Sequence, residues 1–106
     1  MLKISILDNP EELRFILQGK LIEPWVSELR AIWEEKSRNV GNRIRVVDLK
    51  DATVIDQSGF KTLAMMHDQG ARFVAQGVLT RYFLKCLAKK RGFEFRIEEE
   101  KTGRRP

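Results

Sequence analysis

The alternation of apolar and polar residues predicts two strands at the start of the chain, followed by a helix. Residues 2–7 (LKISIL) and 13–19 (LRFILQG) have the pattern of short strands, and the Asp-Asn-Pro sequence between them is typical of a hairpin turn. In residues 23–39 the large apolar side chains instead recur at every third or fourth position, after a proline suited to a first helical turn. We therefore expect a β-hairpin that leads into an amphipathic helix.

The middle of the chain contains its most strand-like segment. Residues 44–49 (IRVVDL) are predicted to lie at the centre of the sheet, and residues 52–56 form a short extended continuation. From Ser58 onward the pattern becomes helical, and Gly70 is suited to end that helix. The residues that fall on its apolar face are Phe60, Leu63, Ala64 and His67.

The last third of the chain continues the alternation of strands and helices. We expect a fourth strand over residues 71–77, a strongly amphipathic helix over 79–92 and an edge strand over 93–97. The order β-β-α-β-α-β-α-β predicts an α/β fold with a mixed sheet and helices packed mainly on one face. Residues 1–98 would form this single domain, and the charged residues 99–106 a flexible tail.

Length and composition restrict the class of protein further. A chain of 106 residues suits one domain, and its 42% hydrophobic and 33% charged residues are a globular balance. The N-terminal sequence lacks the apolar run of a signal peptide, and no stretch is long enough to cross a bilayer. A single cysteine, Cys86, excludes an internal disulfide, and with a single histidine it disfavours a metal site. We expect a cytoplasmic protein without a metal or cofactor.

The net charge of +5 is spread unevenly along the chain. Residues 1–56 carry a net charge of −1 and residues 57–106 a net charge of +6, which could indicate an acidic or nucleic-acid partner. Arg81, Lys85 and Lys89 form a basic stripe on the predicted last helix. No aromatic residue is interleaved on that stripe, so a solvated helix face is the preferred interpretation and a nucleic-acid partner is not expected.

The sequence DQSG, residues 56–59, lies where the pattern changes from extended to helical, and it allows two interpretations. In the structural one, the Asp56 carboxylate caps the helix by accepting from the amides of Ser58 and Gly59. In the functional one, the Ser58 hydroxyl is a phosphorylation site at a helix end that tolerates a phosphate. Gly59, without a side chain, would then let a partner's backbone or a nucleotide phosphate approach.

The segments around DQSG resemble the STAS domain, the fold of anti-sigma factor antagonists. That family has an apolar strand ending in Asp, then Asp-x-Ser/Thr-Gly opening a helix, then a strand with a Gly-Ala start. Residues 46–48 (VVD), 56–59 (DQSG) and 70–73 (GARF) match this pattern, and the resemblance extends over roughly residues 13–98. Gln57 departs from the small residue often found at its position.

The resemblance implies a function in protein binding. In the family, the Ser or Thr before the glycine is phosphorylated by a partner that is both a serine kinase and an anti-sigma factor, and phosphorylation ends binding. Ser58 would be the acceptor, Asp56 and Gly59 would support it, and Asp48 would be a nearby carboxylate. The neighbouring residues Gln57, Phe60, Lys61 and Thr62 are predicted to contact the partner.

Two alternatives remain open at this point. Relatives of this domain also serve as cytoplasmic subunits of lipid-transport ATPase complexes or in signalling scaffolds, without a phosphorylation switch. The basic C-terminal half leaves nucleic-acid binding as a third hypothesis. An enzyme is not expected, because no Walker-type loop, kinase signature or nucleophile–base pair is present in the sequence.

Overall fold

The computed structural model of the protein describes residues 1–75, Lys85 and Ile97–Glu98. Its elements in chain order are β1 (Leu2–Asp8), β2 (Glu12–Leu21), α1 (Trp25–Ser37), β3 (Ile44–Ile55), α2 (Gln57–Asp68), β4 (Arg72–Val74) and β5 (Ile97–Glu98). In this part of the chain the strands form one sheet in the order β1-β2-β3-β4-β5, with β1 antiparallel to β2 and the other neighbours parallel. The predicted mixed sheet, with β3 at its centre, is confirmed.

The hairpin between β1 and β2 is held by the side chain of Asn9. Its Oδ1 accepts hydrogen bonds from the amides of Glu11 at 3.0 Å and Glu12 at 2.9 Å. The Asn9 amide donates in return to the Glu12 carbonyl at 3.1 Å. The Asn-Pro turn chemistry therefore closes the hairpin as the sequence predicts.

Both described helices cover the same face of the sheet. Phe15 of β2 packs against Trp33 of α1 with ring centroids 5.0 Å apart, and Phe73 of β4 lies 6.3 Å from the ring of His67 in α2. The strand register places Phe15, Val47 and Phe73 side by side, so these side chains point to one face. The predicted packing of helices on one face is confirmed for α1 and α2.

The core lies between this face and the two helices. It is built from large apolar side chains that are almost completely buried. The largest of them are Trp33, Phe15, Phe73, Leu13, Leu17, Leu21, Leu29, Leu49, Leu63 and Met66.

Strand β3 is longer than the sequence predicts. Residues 44–49 and 52–56 were expected as two segments, but β3 runs without a break from Ile44 to Ile55. Its register against β2 shifts twice, between Ile16 and Gln18 and between Gly19 and Lys20, and each shift inserts an extra β3 residue. The two predicted segments are therefore joined in one strand, whose extra residues are accommodated by β-bulges.

The far ends of α1 and α2 are tied together by Arg45 of β3. Its guanidinium lies 4.7 Å from the ring centre of Trp33, donates to Ser37 Oγ at 2.8 Å and also donates to the Gln69 carbonyl. The Trp33 indole donates to Gln69 Oε1 at 2.9 Å. Gly70 follows with φ +99°, and it ends α2 as predicted.

Several sequence-based predictions fall outside the described residues. These are the end of the predicted fourth strand, nearly all of the helix predicted over residues 79–92, most of the strand predicted over 93–97, and the tail. Lys85 is helical and exposed, while Arg81, Cys86 and Lys89 are not described. Among the residues that are described, no helix has the length and apolar character needed to cross a membrane. Nor does that part of the chain bring together three or more potential metal-ligating side chains.

Candidate functional site

The parallel pairing of β2 and β3 creates the site. Leu21 at the end of β2 is in register with Ile55 at the end of β3, so the chain leaves both strands at the same edge of the sheet. The Asp56 amide donates to the Leu21 carbonyl at 3.2 Å, directly beyond that pair. Residues 22–24, which connect β2 to α1 and are called here the β2–α1 loop, therefore lie beside the first turn of α2.

Asp56 caps helix α2. Its backbone is extended, with φ −89° and ψ −175°, and its Oδ1 accepts from the Gly59 amide at 2.7 Å. The Phe60 amide donates to the Asp56 carbonyl at 2.8 Å and continues the helical hydrogen bonding. The second carboxylate oxygen, Oδ2, accepts from the Glu23 amide at 3.3 Å. The predicted cap is confirmed through Gly59, and it also binds the β2–α1 loop.

Ser58 is partly exposed in the first turn of α2. Its Oγ donates to Glu23 Oε2 at 2.5 Å, the short distance typical of a hydroxyl bound to an ionised carboxylate. The hydroxyl is therefore directed at the β2–α1 loop, while the capping of α2 is done by Asp56. The serine can change chemically without removing the cap.

Glu23 is the site residue that the sequence analysis missed. Besides Ser58, it accepts at Oε1 from the Ser27 hydroxyl at 2.9 Å and from the Ser27 amide at 3.2 Å. The hydrogen bonds from Ser58 and Ser27 lower the pKa of Glu23, because they stabilise its ionised form. The only sequence signal was its place two residues after β2, which becomes informative once β2 and β3 are known to end together.

Gly59 is buried against the end of β2, so its expected role as an open approach for a partner is wrong. A Cβ at this position would lie 2.5 Å from the Leu21 carbonyl oxygen and 3.2 Å from Ile55 Cγ2. The glycine is needed inside the molecule, where it lets α2 start in direct contact with the ends of the two strands.

The four predicted partner contacts have different environments. Gln57 and Lys61 are exposed, and Phe60 is partly buried and packs against the core. Thr62 is only 1% exposed, and its Oγ1 accepts from Arg30 Nη2 of α1 at 3.0 Å. The prediction that Thr62 contacts a partner is therefore wrong, because the helix periodicity turns it toward α1.

Asp48 does not belong to the site. It is in register with Ile16, one residue away from the pair formed by Phe15 and Val47, and so points to the sheet face opposite α1 and α2. Its Oδ2 accepts from Arg14 Nη2 at 3.1 Å, and Lys50 Nζ lies 3.7 Å away. The expectation of Asp48 as a carboxylate close to Ser58 is wrong, since Asp48 is 5% exposed and paired with cations on the far face.

This pairing favours the protonated, charged form of Arg14. Burial alone would lower the pKa of Arg14, but the hydrogen bonds and negative charges of Glu12 and Asp48 outweigh it and raise that pKa. The Arg14–Asp48 pair is thus a fixed structural feature of the sheet.

Comparisons with known proteins identify the fold. No family model matches the chain, and no curated protein is significantly similar to it in sequence. The structure is similar to that of an uncharacterized protein from Shewanella loihica PV-4, of the DUF3478 family and described as having a SpoIIAA-like fold. The two chains share 12% identity and a TM-score of 0.59, over 94% of this chain and 85% of that chain. The protein therefore has a SpoIIAA-like, that is STAS-like, mixed α/β fold.

Proposed function

We propose that the protein is a phosphorylation-switched binding module, an anti-sigma factor antagonist. It binds an anti-sigma factor with serine kinase activity while Ser58 carries a free hydroxyl. The kinase transfers the γ-phosphoryl group of ATP to Ser58 Oγ, with release of ADP and a proton, and the modified protein no longer binds. The observation that carries this proposal is the partly exposed Ser58 hydroxyl at the start of α2, next to a cap supplied by Asp56.

The geometry supports a fold that survives phosphorylation. A phosphate adds about −1.5 to −2 charges at neutral pH. The free amides and partial positive charge at a helix start favour an anion by about 0.3–1 kcal/mol. The hydrogen bond from Gly59 to Asp56 does not involve Ser58, so the cap remains in place. A docked partner surface would lack this compensation, and its affinity would fall.

The exposed side chains beside Ser58 support a binding role for the same surface. Gln57 and Lys61 are exposed on the first turns of α2. Lys61 is three residues from Ser58, so the two positions share one face of the helix. A partner that contacts this face would contact the serine itself, and no catalysis by the protein is needed.

The test uses purified protein, ATP and each serine kinase encoded near its gene. We expect phosphate on the peptide that contains Ser58, and none in Ser58→Ala. Ser5→Ala, which removes another partly exposed serine hydroxyl on β1, is the matched control and should be phosphorylated like wild type. Ser58→Asp should bind the kinase about 5–150-fold more weakly than wild type.

Other results of these experiments would contradict the proposal or favour the alternative. Absence of phosphate from Ser58, or equal affinity of Ser58→Asp and Ser58→Ala for the partner, would overturn the proposal. Co-purification with a transporter ATPase, together with full activity of Ser58→Ala, would instead support the alternative of a subunit in a transport complex.

A further inference from the structure

We propose that Glu23 senses the chemical state of Ser58 and holds the β2–α1 loop against α2 only while the serine is unphosphorylated. The inference rests on the proposed function, because it describes how phosphorylation of the same serine would be transmitted. Glu23 then acts as a positioning residue, and the surface altered by phosphorylation includes the loop as well as the tip of α2.

Three groups of Glu23 connect the β2–α1 loop to the starts of α2 and α1. Its backbone amide donates to Asp56 Oδ2 at 3.3 Å, its Oε2 accepts from Ser58 Oγ at 2.5 Å, and its Oε1 accepts from Ser27 at the start of α1. Two of these contacts reach the start of α2 and one reaches α1. The loop position therefore depends on what Glu23 can bind.

A phosphate on Ser58 would change the contact with Glu23 from attractive to repulsive. The serine hydroxyl is a donor, whereas a phosphate dianion offers only acceptor oxygens, and a carboxylate can accept but not donate. The two anions therefore repel each other where a short hydrogen bond existed before. A glutamate carboxyl ordinarily titrates well below neutral pH, so Glu23 is ionised there and protonation does not relieve this repulsion.

The neighbouring charges favour separation of the loop from the helix. Asp56 carries a second carboxylate beside Ser58, and its Oδ2 already accepts from the Glu23 amide. Lys61 is exposed three residues after Ser58 on the same helix, where it can pair with the phosphate. The phosphate thus has a cation on α2 and an anion on the loop. We infer that it remains with α2 and displaces the loop.

The test installs phosphoserine at position 58 by genetic encoding, which makes it independent of any kinase. Amide hydrogen exchange is compared between the unmodified and the phosphorylated full-length protein. The amides of Glu23 and Ser27 report on the loop directly, because both donate hydrogen bonds within the contact region. We expect phosphorylation to speed their exchange about tenfold, with little change for core amides of β2.

Two variants separate the role of Glu23 from a general effect of charge. In Glu23→Gln the side-chain amide can donate to the phosphate, so the acceleration should shrink to less than about threefold. Glu28→Gln removes the same charge from an exposed position one turn into α1 and should retain the full acceleration. Glu23 is exposed and glutamine keeps an acceptor oxygen for the serine donors, so the variant should fold, with at most a small decrease in thermal stability.

Two results would overturn the inference. One is unchanged exchange of the Glu23 and Ser27 amides after phosphorylation, and the other is equal acceleration in Glu23→Gln and wild type. These results differ from a failure of the proposed function, in which no cellular kinase modifies Ser58 although the encoded phosphoserine still releases the loop. If the loop does not respond but phosphorylation still weakens partner binding, the phosphate acts on the partner directly.

Discussion

The carboxylate of Asp56 and the amide of Gly59 close the first turn of α2 across 2.7 Å. The same glycine is packed so closely against the Leu21 carbonyl that no side chain fits between them. The start of the helix is thus set by one hydrogen bond and one close packing contact, and a single substitution can disrupt either of them.

Removal of the cap should lower stability without abolishing the fold. Asp56→Ala leaves the Gly59 amide without its acceptor and should reduce the free energy of unfolding by about 1 kcal/mol, as for other N-cap losses. Asp56→Asn keeps an acceptor oxygen and should retain most of the stability. Urea unfolding of the three proteins checks this, and an Asp56→Ala midpoint equal to that of wild type would contradict the capping role.

A methyl group at position 59 should be more harmful than its size suggests. Gly59→Ala brings Cβ within 2.5 Å of the Leu21 carbonyl oxygen, a backbone atom that cannot rotate away. We expect a loss of about 1–3 kcal/mol, the usual range for overpacking. Gln57→Ala, at an exposed position in the same turn, is the control and should change stability by less than about 0.5 kcal/mol.

The ionisation of Glu23 should report its hydrogen bonds. In the folded protein its pKa should lie below the ordinary value of 4.5, chiefly because Ser58 donates to it. Folding then favours the ionised form, so this contribution to stability is present above pH 4.5 and is lost as the pH falls through the folded pKa. NMR titration of the side-chain carboxyl carbon measures it. Ser58→Ala should move the midpoint up toward the ordinary value, and an unchanged midpoint would count against the bond.

The pairing of Arg14 with Asp48 can be tested by a double-mutant cycle. Among the described residues, Arg14→Met leaves the buried carboxylate with Lys50 at 3.7 Å as a cation, and should cost about 2–3 kcal/mol. In Asp48→Leu the same arginine substitution should cost much less, because no buried anion remains. Equal costs in the two backgrounds, measured by urea unfolding, would show that the pair is not coupled.

The contact between Trp33 and Gln69 predicts a measurable effect of an aromatic substitution. Trp33→Phe keeps a large ring in the core but removes the indole donor to Gln69 Oε1, which lies at 2.9 Å. It also shortens the ring beneath Arg45. We expect a loss of about 1–2 kcal/mol in the free energy of unfolding, and a smaller loss for Trp25→Phe, whose ring is only partly buried.

The periodicity of the sequence was sufficient to predict most of the architecture. Asn9 and Gly70 marked a turn and a helix end through local chemistry that needs no knowledge of the rest of the chain. The central position of β3 followed from its apolar residues. Its full length did not, because the bulges that keep β3 continuous depend on its pairing with β2.

Site contacts between residues close in sequence were predicted, whereas contacts between distant segments were not. Asp56 was recognisable as a cap because its partner is three residues away. Glu23 is 35 residues from Ser58 in sequence, and only the register of two parallel strands brings them together. The direction in which each side chain points could not be read from the sequence either, so Thr62 was expected at the surface and Asp48 near Ser58.

Asp56 caps helix α2 and Ser58 does not, and this difference has an evolutionary consequence. Since the cap on α2 comes from Asp56, serine or threonine at position 58 would leave it intact, whereas a permanently acidic residue would keep the cap but lose the hydrogen bond to Glu23. Under the proposed function, the residue at position 58 would decide whether the switch can be reversed by removal of a phosphate or is held permanently in one state.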